Sequence, residues 1–348
     1  MTAIAEATSA AGTDALQRTD ALQRADALRL GDDRQPRSLG LLVVAGLLWF
    51  GLGVLVLGWA DAQEVERTTL LGVLVLALGG VQLLAGIGGW FVAPLARLGR
   101  FAPWLIVLAL WLACWEAATA KLDLLPLPFF PSPQAFVEVY TDDWRRLGDS
   151  LLHSVWLLLR GFAIGAAVGF TIGVALGWSK RVGYWVHPVM RLIGPLPATA
   201  WLPLAFFIFP TSGSASTFLI ALATAFPLTV LTWSGVAGVQ TAYYDVARTL
   251  GANPRFLILK VAIPAALPHV FVGLFMGLGS SFAVLVVAEM LGVKSGLGWY
   301  LQWAQGWAAY ANMYGALLVM ALMCSALITL LFRVRDKLLA WQKGIVKW

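Results

Sequence analysis

The feature that most limits what this chain can fold into is a series of apolar runs, each close to the length of a bilayer crossing. They lie at about 39–59, 69–92, 102–120, 151–178, 189–209, 216–239, 264–292 and 313–333, and a helix needs about 20 apolar residues to cross the hydrocarbon core. No water reaches that depth, so every backbone polar group must find its partner within the chain. A single run of this length does so only as an α-helix. The expectation is an all-α membrane protein with about eight spans. Composition agrees, since 12% of residues are charged against about a quarter in soluble domains.

Basic residues favour the cytoplasmic side of a membrane, and here they occupy alternate connections. Arg29, Arg34 and Arg37 precede the first run, and Arg97 and Arg100 follow the second. Lys180, Arg181 and Arg191 follow the fourth, Arg248, Arg255 and Lys260 the sixth, and Arg333, Arg335, Lys337, Lys343 and Lys347 close the chain. Both termini and the 243–262 connection are therefore expected in the cytoplasm. The same bias accounts for the net charge of +6, so nucleic acid is not an expected partner; the lipid bilayer is. Residues 1–37 are polar, and 13–18 recur as 19–24. A six-residue period puts Leu16, Leu22 and Leu28 on different helix faces, so this segment is expected to be a disordered tail. The first run, starting near Ser38, lacks a small-residue cleavage site, and no cleaved signal peptide is expected.

The chain contains no Gly-Lys dipeptide, hence no phosphate-binding P-loop. His153, His187 and His269 lack metal-ligand spacing, and Cys114 and Cys324 both lie inside apolar runs. Neither catalysis, a metal nor a cofactor is expected in the chain itself.

One connection is far longer than a chain reversal needs. Residues 243–268, YYDVARTLGANPRFLILKVAIPAALP, hold the four charges between Arg191 and Glu289: Asp245, Arg248, Arg255 and Lys260. Asp245 is expected to open a short helix, where its charge complements the free N–H groups, and Gly251 with Asn253-Pro254 to stop it. Val246, Ala247 and Leu250 then form a small apolar face suited to a partner's groove; the alternative is a solvated loop with one helical turn.

These residues resemble the cytoplasmic EAA loop of binding-protein-dependent ABC importers. That motif has an acidic residue, two small residues, three more positions, a glycine, and later an aliphatic-x-aliphatic-Pro group. Here it reads Asp245, Val246, Ala247, Gly251, then Val261, Ile263 and Pro264, with Asp for Glu and Val for the first Ala. GPLPATAWLPL before the loop and VVAEMLGVKSGLGWYL after it resemble the nitrate, sulfonate, taurine and bicarbonate branch of these permeases. The resemblance implies a type I importer core of about six helices over 101–348, preceded by an extra helical pair at 38–100. It implies a multi-pass protein of a bacterial inner membrane, with Asp245, Val246, Ala247, Leu250, Gly251 and Pro264 coupling to an ATPase. It further implies a second permease copy, two ATP-binding subunits carrying ATP and Mg, and a periplasmic or lipid-anchored solute-binding protein.

Polar groups within spans are costly and usually face a cavity or one another. Arg160, about two helical turns beyond His153 in the fourth run, is a candidate for positive potential along an anion pathway; a structural ion pair or a carbonyl-capping arginine is the alternative. Glu289, near the end of the seventh run, is open to the same readings. Gly194-Pro195-Leu196-Pro197 and Pro203 are expected to break the fifth run, and irregular backbone at membrane depth lines a cavity or is buried in protein. That makes Pro197, Thr199 and Trp201 candidates for the pathway wall. Thr224, Ser280 and Ser281 are candidates for hydrogen bonds along it, or for helix packing. Gly273, Gly277 and Gly279, and the four-residue spacing of Gly161, Gly165, Gly169 and Gly173, suit close packing, within the chain or between subunits. Two other classes stay open: an ion-gradient-driven secondary transporter, and a membrane enzyme.

Overall fold

The computed structural model describes residues 34–62, 65–89, 97–125 and 127–342, and every regular element among them is helical. Expectations for residues 1–33, Pro126, Lys343 and Lys347 lie outside the described residues. Residues 34–37, expected in the tail, already belong to the first helix. Seven helices are long and apolar enough to cross a membrane, and an eighth crossing arises if one bent pair is counted as a span.

The chain forms two compact units, Met1–Thr141 and Asp142–Trp348. The first contains α1 (Arg34–Gly58), α2 (Thr68–Gly88), α3 (Ala102–Glu116), which continues as a wider π-type turn over Ala117–Lys121, and α4 (Pro133–Asp142). Small residues let α1 and α2 approach closely: a Cβ on Gly79 would lie 2.7 Å from the Phe50 amide nitrogen. The third span, expected with the core, packs on this pair. Trp49 donates its indole N–H to the Leu105 carbonyl at 3.0 Å, and Trp49, Leu52, Val56, Leu71, Val75 and Ala109 form one buried cluster.

A charged knot closes the same unit. Lys121, with a fully buried side chain, donates to the Val56 carbonyl at 2.9 Å, the Trp59 carbonyl at 2.5 Å and Asp61 Oδ1 at 2.7 Å. The lysine thus satisfies carbonyls that the end of α1 leaves without intrahelical partners. Glu116 Oε1 lies 3.7 Å from the ammonium and accepts from Gln134 Nε2 at 2.7 Å.

The second unit holds α5 (Trp144–Trp178), α6 (Lys180–Ile193), α7 (Leu202–Ile208), α8 (Ser212–Ala237), α9 (Thr241–Thr249), α10 (Ile263–Leu291), α11 (Leu297–Gly306) and α12 (Tyr310–Leu338). Asp143 separates α4 from α5. The expected break of the fifth run is present: α6 and the segment Ala198–Ile208 meet at 87°. Pro197, extended with ψ 141, lies in the break, where proline cannot donate to the ladder and disfavours a helical residue before it; Pro203 instead sits within the first two positions of α7.

Helix α5 packs along α8 through its glycine spacing, within the chain. A Cβ on Gly161 would lie 2.6 Å from Ile220 Cγ2, on Gly169 2.6 Å from the Ala225 carbonyl oxygen, and on Gly173 2.6 Å from Thr232 Cβ. Gly165 meets the Ala221 carbonyl closer still. Gly273 and Gly277 let α10 close on the other side of α8, against Leu228 and Thr224, whereas Gly279 faces open space. Gly169→Val puts branched atoms where the backbone of α8 runs. We expect it to destabilise the protein by about 1–3 kcal/mol, read as a lower thermal midpoint in detergent, with Gly279→Val within error of wild type.

Candidate functional site

The long connection folds into α9, a turn over Pro254–Phe256 and a π-type segment, Leu257–Ala262, which runs directly into α10. Gly251 ends α9 with φ +81, a left-handed conformation that glycine adopts without steric cost. The Ala252 amide donates to the Ala247 carbonyl at 3.0 Å and the Gly251 amide to the Arg248 carbonyl at 2.9 Å. Those two bonds are the Schellman pattern. Asn253 does not stop α9 but opens the next turn, its side chain accepting from the Phe256 amide at 2.8 Å. Asp245 is also placed differently from expectation. Helix α9 begins at Thr241 after Gln240, so Asp245 sits mid-helix, paired with Arg248 at 3.4 Å, both exposed. Such a pair stabilises by well under about 1 kcal/mol.

Val246 (62% exposed) and Leu250 (83%) point away from the chain. With Tyr243, Ala247, Gly251, Ala252, Asn253 and Phe256 they line a hollow of ≈ 390 Å³. The expected apolar knob is thus one wall of a groove. Sequence reasoning missed what holds it: Tyr244 packs against a buried cluster of Val236, Ala262 and Ala266, with Val174 alongside. Its ring meets Trp178 edge-on at 6.0 Å, and burial pushes its phenol above the usual range, opposed by the Arg248 charge. Pro264 lies at the start of α10, directly after the π-type segment.

The second feature is a hollow of ≈ 310 Å³ at the α6–α7 break. Pro197, Thr199 and Ser280 line it, with Leu196, Phe226 and Pro227 among the others. Trp201 is half-buried beside it in sequence, its indole N–H without an acceptor among the described residues. Thr224 and Ser281 are fully buried and bond to each other at 2.5 Å, their remaining bonds going to the Ile220 and Gly277 carbonyls. They stitch α8 to α10 and do not line the hollow.

Arg160 and Glu289 do not meet. Arg160 donates to Thr217 Oγ1 from Nε at 3.1 Å and Nη2 at 2.5 Å, and to the Gly213 carbonyl at 3.2 Å; it fastens α5 to the first turns of α8. Glu289 is 0% exposed. Ser154 donates to its two oxygens at 2.7 and 2.9 Å, the Gly298 amide donates at 2.8 Å, and Ser154 accepts from the Leu297 amide at 2.8 Å. The carboxylate therefore sits at the N-terminus of α11, where free N–H groups and the helix dipole favour a negative charge. Helix α11 buries one face, made of Leu297, Gly298, Tyr300, Leu301 and Ala304. Tyr300 is fully buried, bonded to Asp143 and Asn312, and burial pushes its phenol far up, so it stays a donor across physiological pH.

A sequence profile of the family described as "Binding-protein-dependent transport system inner membrane component" matches residues 165–341. A nitrate import permease protein of Synechococcus elongatus is 28% identical over 74% of this chain and 93% of its own length. A protein of Bacillus subtilis described as an aliphatic sulfonates transport permease is 28% identical over 69% of this chain and 86% of its own. A bicarbonate transport system permease protein of Synechococcus elongatus is 28% identical over 56% and 68%. The matched residues 165–341 run from the glycine ridge of α5 through both hollows to the end of α12, and the chain belongs to the binding-protein-dependent transport system inner membrane components, as a permease subunit of an ABC importer.

Proposed function

We propose that two copies of this chain form a translocation pathway for a small anion, and that each couples through its 243–262 loop to an ATP-binding subunit carrying ATP and Mg. A periplasmic or lipid-anchored protein delivers the solute, and both termini face the cytoplasm. The observation that carries this reading is the groove on α9: Val246 and Leu250 are strongly exposed on a short helix whose Tyr244 is half-buried against Val236, Ala262 and Ala266. Exposed apolar side chains on a rigid, low-profile helix match a helix-in-groove docking mode. ATP binding in the partner would then shift the spans between two packings through differential affinity.

The relatives' solutes, nitrate, sulfonates and bicarbonate, share a negative charge and small size, which supports an anionic solute here. Pro197, Thr199 and Ser280 are the proposed wall residues, with Trp201 the neighbouring donor and Arg160 a positive charge beside the start of α8. Thr224, Ser281 and Glu289 act as scaffold. In this reading the core comprises 101–348 and the pair at 38–100 is an addition. The test is a pull-down of tagged chain from native membranes with an ATPase assay of the eluate. Recovery of an ATPase that Leu250→Asp abolishes supports the reading; a chain that elutes alone after gentle solubilisation sinks it and revives a secondary transporter.

A further inference from the structure

The groove and the buried carboxylate lie at opposite ends of one rod. From Pro254 to Leu291 the chain is a single unbroken span of 38 residues, roughly 55 Å at the helical rise. At its start, Phe256 lines the groove and Asn253 caps the first turn. At its end, Glu289 accepts from Ser154 of α5 and from the Gly298 amide at the start of α11, and Ser154 in turn accepts from the Leu297 amide. The site is shaped around this carboxylate. Gly296 has φ +100, and a Cβ there would run into the Glu289 carboxylate; a Cβ on Gly298 would lie 2.8 Å from Glu289 Cβ. Between the two ends, Gly273 and Gly277 give α10 a smooth face toward α8.

We propose that Glu289 is a positioning residue that passes movement of the 243–262 loop to the far end of the protein, by tying the end of α10 to both α5 and α11. The inference rests on the coupling role proposed for that loop. A displacement of α9 pushes on Phe256 and the start of the rod; the rod carries it to Glu289; and the carboxylate drags Ser154 and the α11 N-terminus with it. Tyr300 holds α11 independently, to Asp143 and Asn312, without touching the rod's last turn by a hydrogen bond.

That independence supplies the control. In the complex purified with its ATPase and reconstituted in liposomes, uptake per ATP hydrolysed is measured for Glu289→Gln, Ser154→Ala and Tyr300→Phe. Glu289→Gln removes the charge and sets an amide against the Gly298 N–H. Ser154→Ala removes the bridge while leaving the carboxylate, so it also serves if the first variant fails to accumulate. The expected result is normal ATPase recovery in all three, uptake per ATP reduced about tenfold or more in the first two, and a ratio near wild type in Tyr300→Phe. Wild-type ratios in Glu289→Gln and Ser154→Ala overturn the proposal, as does an equal loss in Tyr300→Phe, which would mean that any loosening of α11 has this effect. A wild-type chain that brings no ATPase overturns the underlying coupling reading, and this inference with it.

Discussion

Leu250→Asp and Gly251→Asp are expected to abolish uptake while leaving the protein in the membrane at wild-type level. Leu250 is 83% exposed, and a substitution at so exposed a site moves stability by about 0.5 kcal/mol or less. If the side chain is an apolar anchor in a partner's cleft, its replacement by a charge removes at least about 2 kcal/mol of docking energy, or roughly 30-fold in affinity. Gly251 acts through the backbone. Its Cβ position is open, with nothing within 4 Å, but its φ is +81, which costs most L-residues about 1–2 kcal/mol. Asp is among the residues that tolerate that region, so the fold survives and the new charge sits in the groove. Quantitative immunoblotting of membranes beside solute uptake and ATPase recovery decides the matter. Full uptake in Leu250→Asp would remove the docking role from this face.

How far the chain announces its structure depends on the range of each interaction. The spans are legible because the bilayer demands long apolar helices, and the α6–α7 break because proline acts on its own backbone. Gly251 is legible for the same reason: a left-handed residue is a local demand. Local grammar puts Asp245 at the head of α9, but the helix starts four residues earlier, at Thr241, a choice made by Tyr244 docking on Val236 and Ala262 from other helices. Thr224 with Ser281 and Ser154 with Glu289 are 57 and 135 residues apart. At such separations a serine on a pathway and a serine in a helix crossing look alike in sequence. The glycine spacing on α5 suggests close packing, but that α8 is its partner is visible only in three dimensions.

The largest stability effect expected in this protein belongs to Lys121. Lys121 carries the one positive charge of a buried knot that also holds Asp61 and Glu116, and it binds two carbonyls from the end of α1. Removing one partner of a buried ionic network costs about 3–5 kcal/mol, because the remaining charges are left uncompensated. Lys121→Met is expected to lose that much, since it also strands the Val56 and Trp59 carbonyls. The readout is the thermal midpoint of the purified chain, and a midpoint equal to wild type would show that the knot holds nothing. Adding Asp61→Asn and Glu116→Gln to Lys121→Met removes the stranded charges, and part of the lost stability should return. Deleting residues 1–96 takes away Val56, Trp59 and Asp61 together, leaving Lys121 with Glu116 alone. It also strips Trp49, Leu52, Val56, Leu71 and Val75 from the cluster on Ala109, so the truncated chain should melt at least as far below wild type as Lys121→Met.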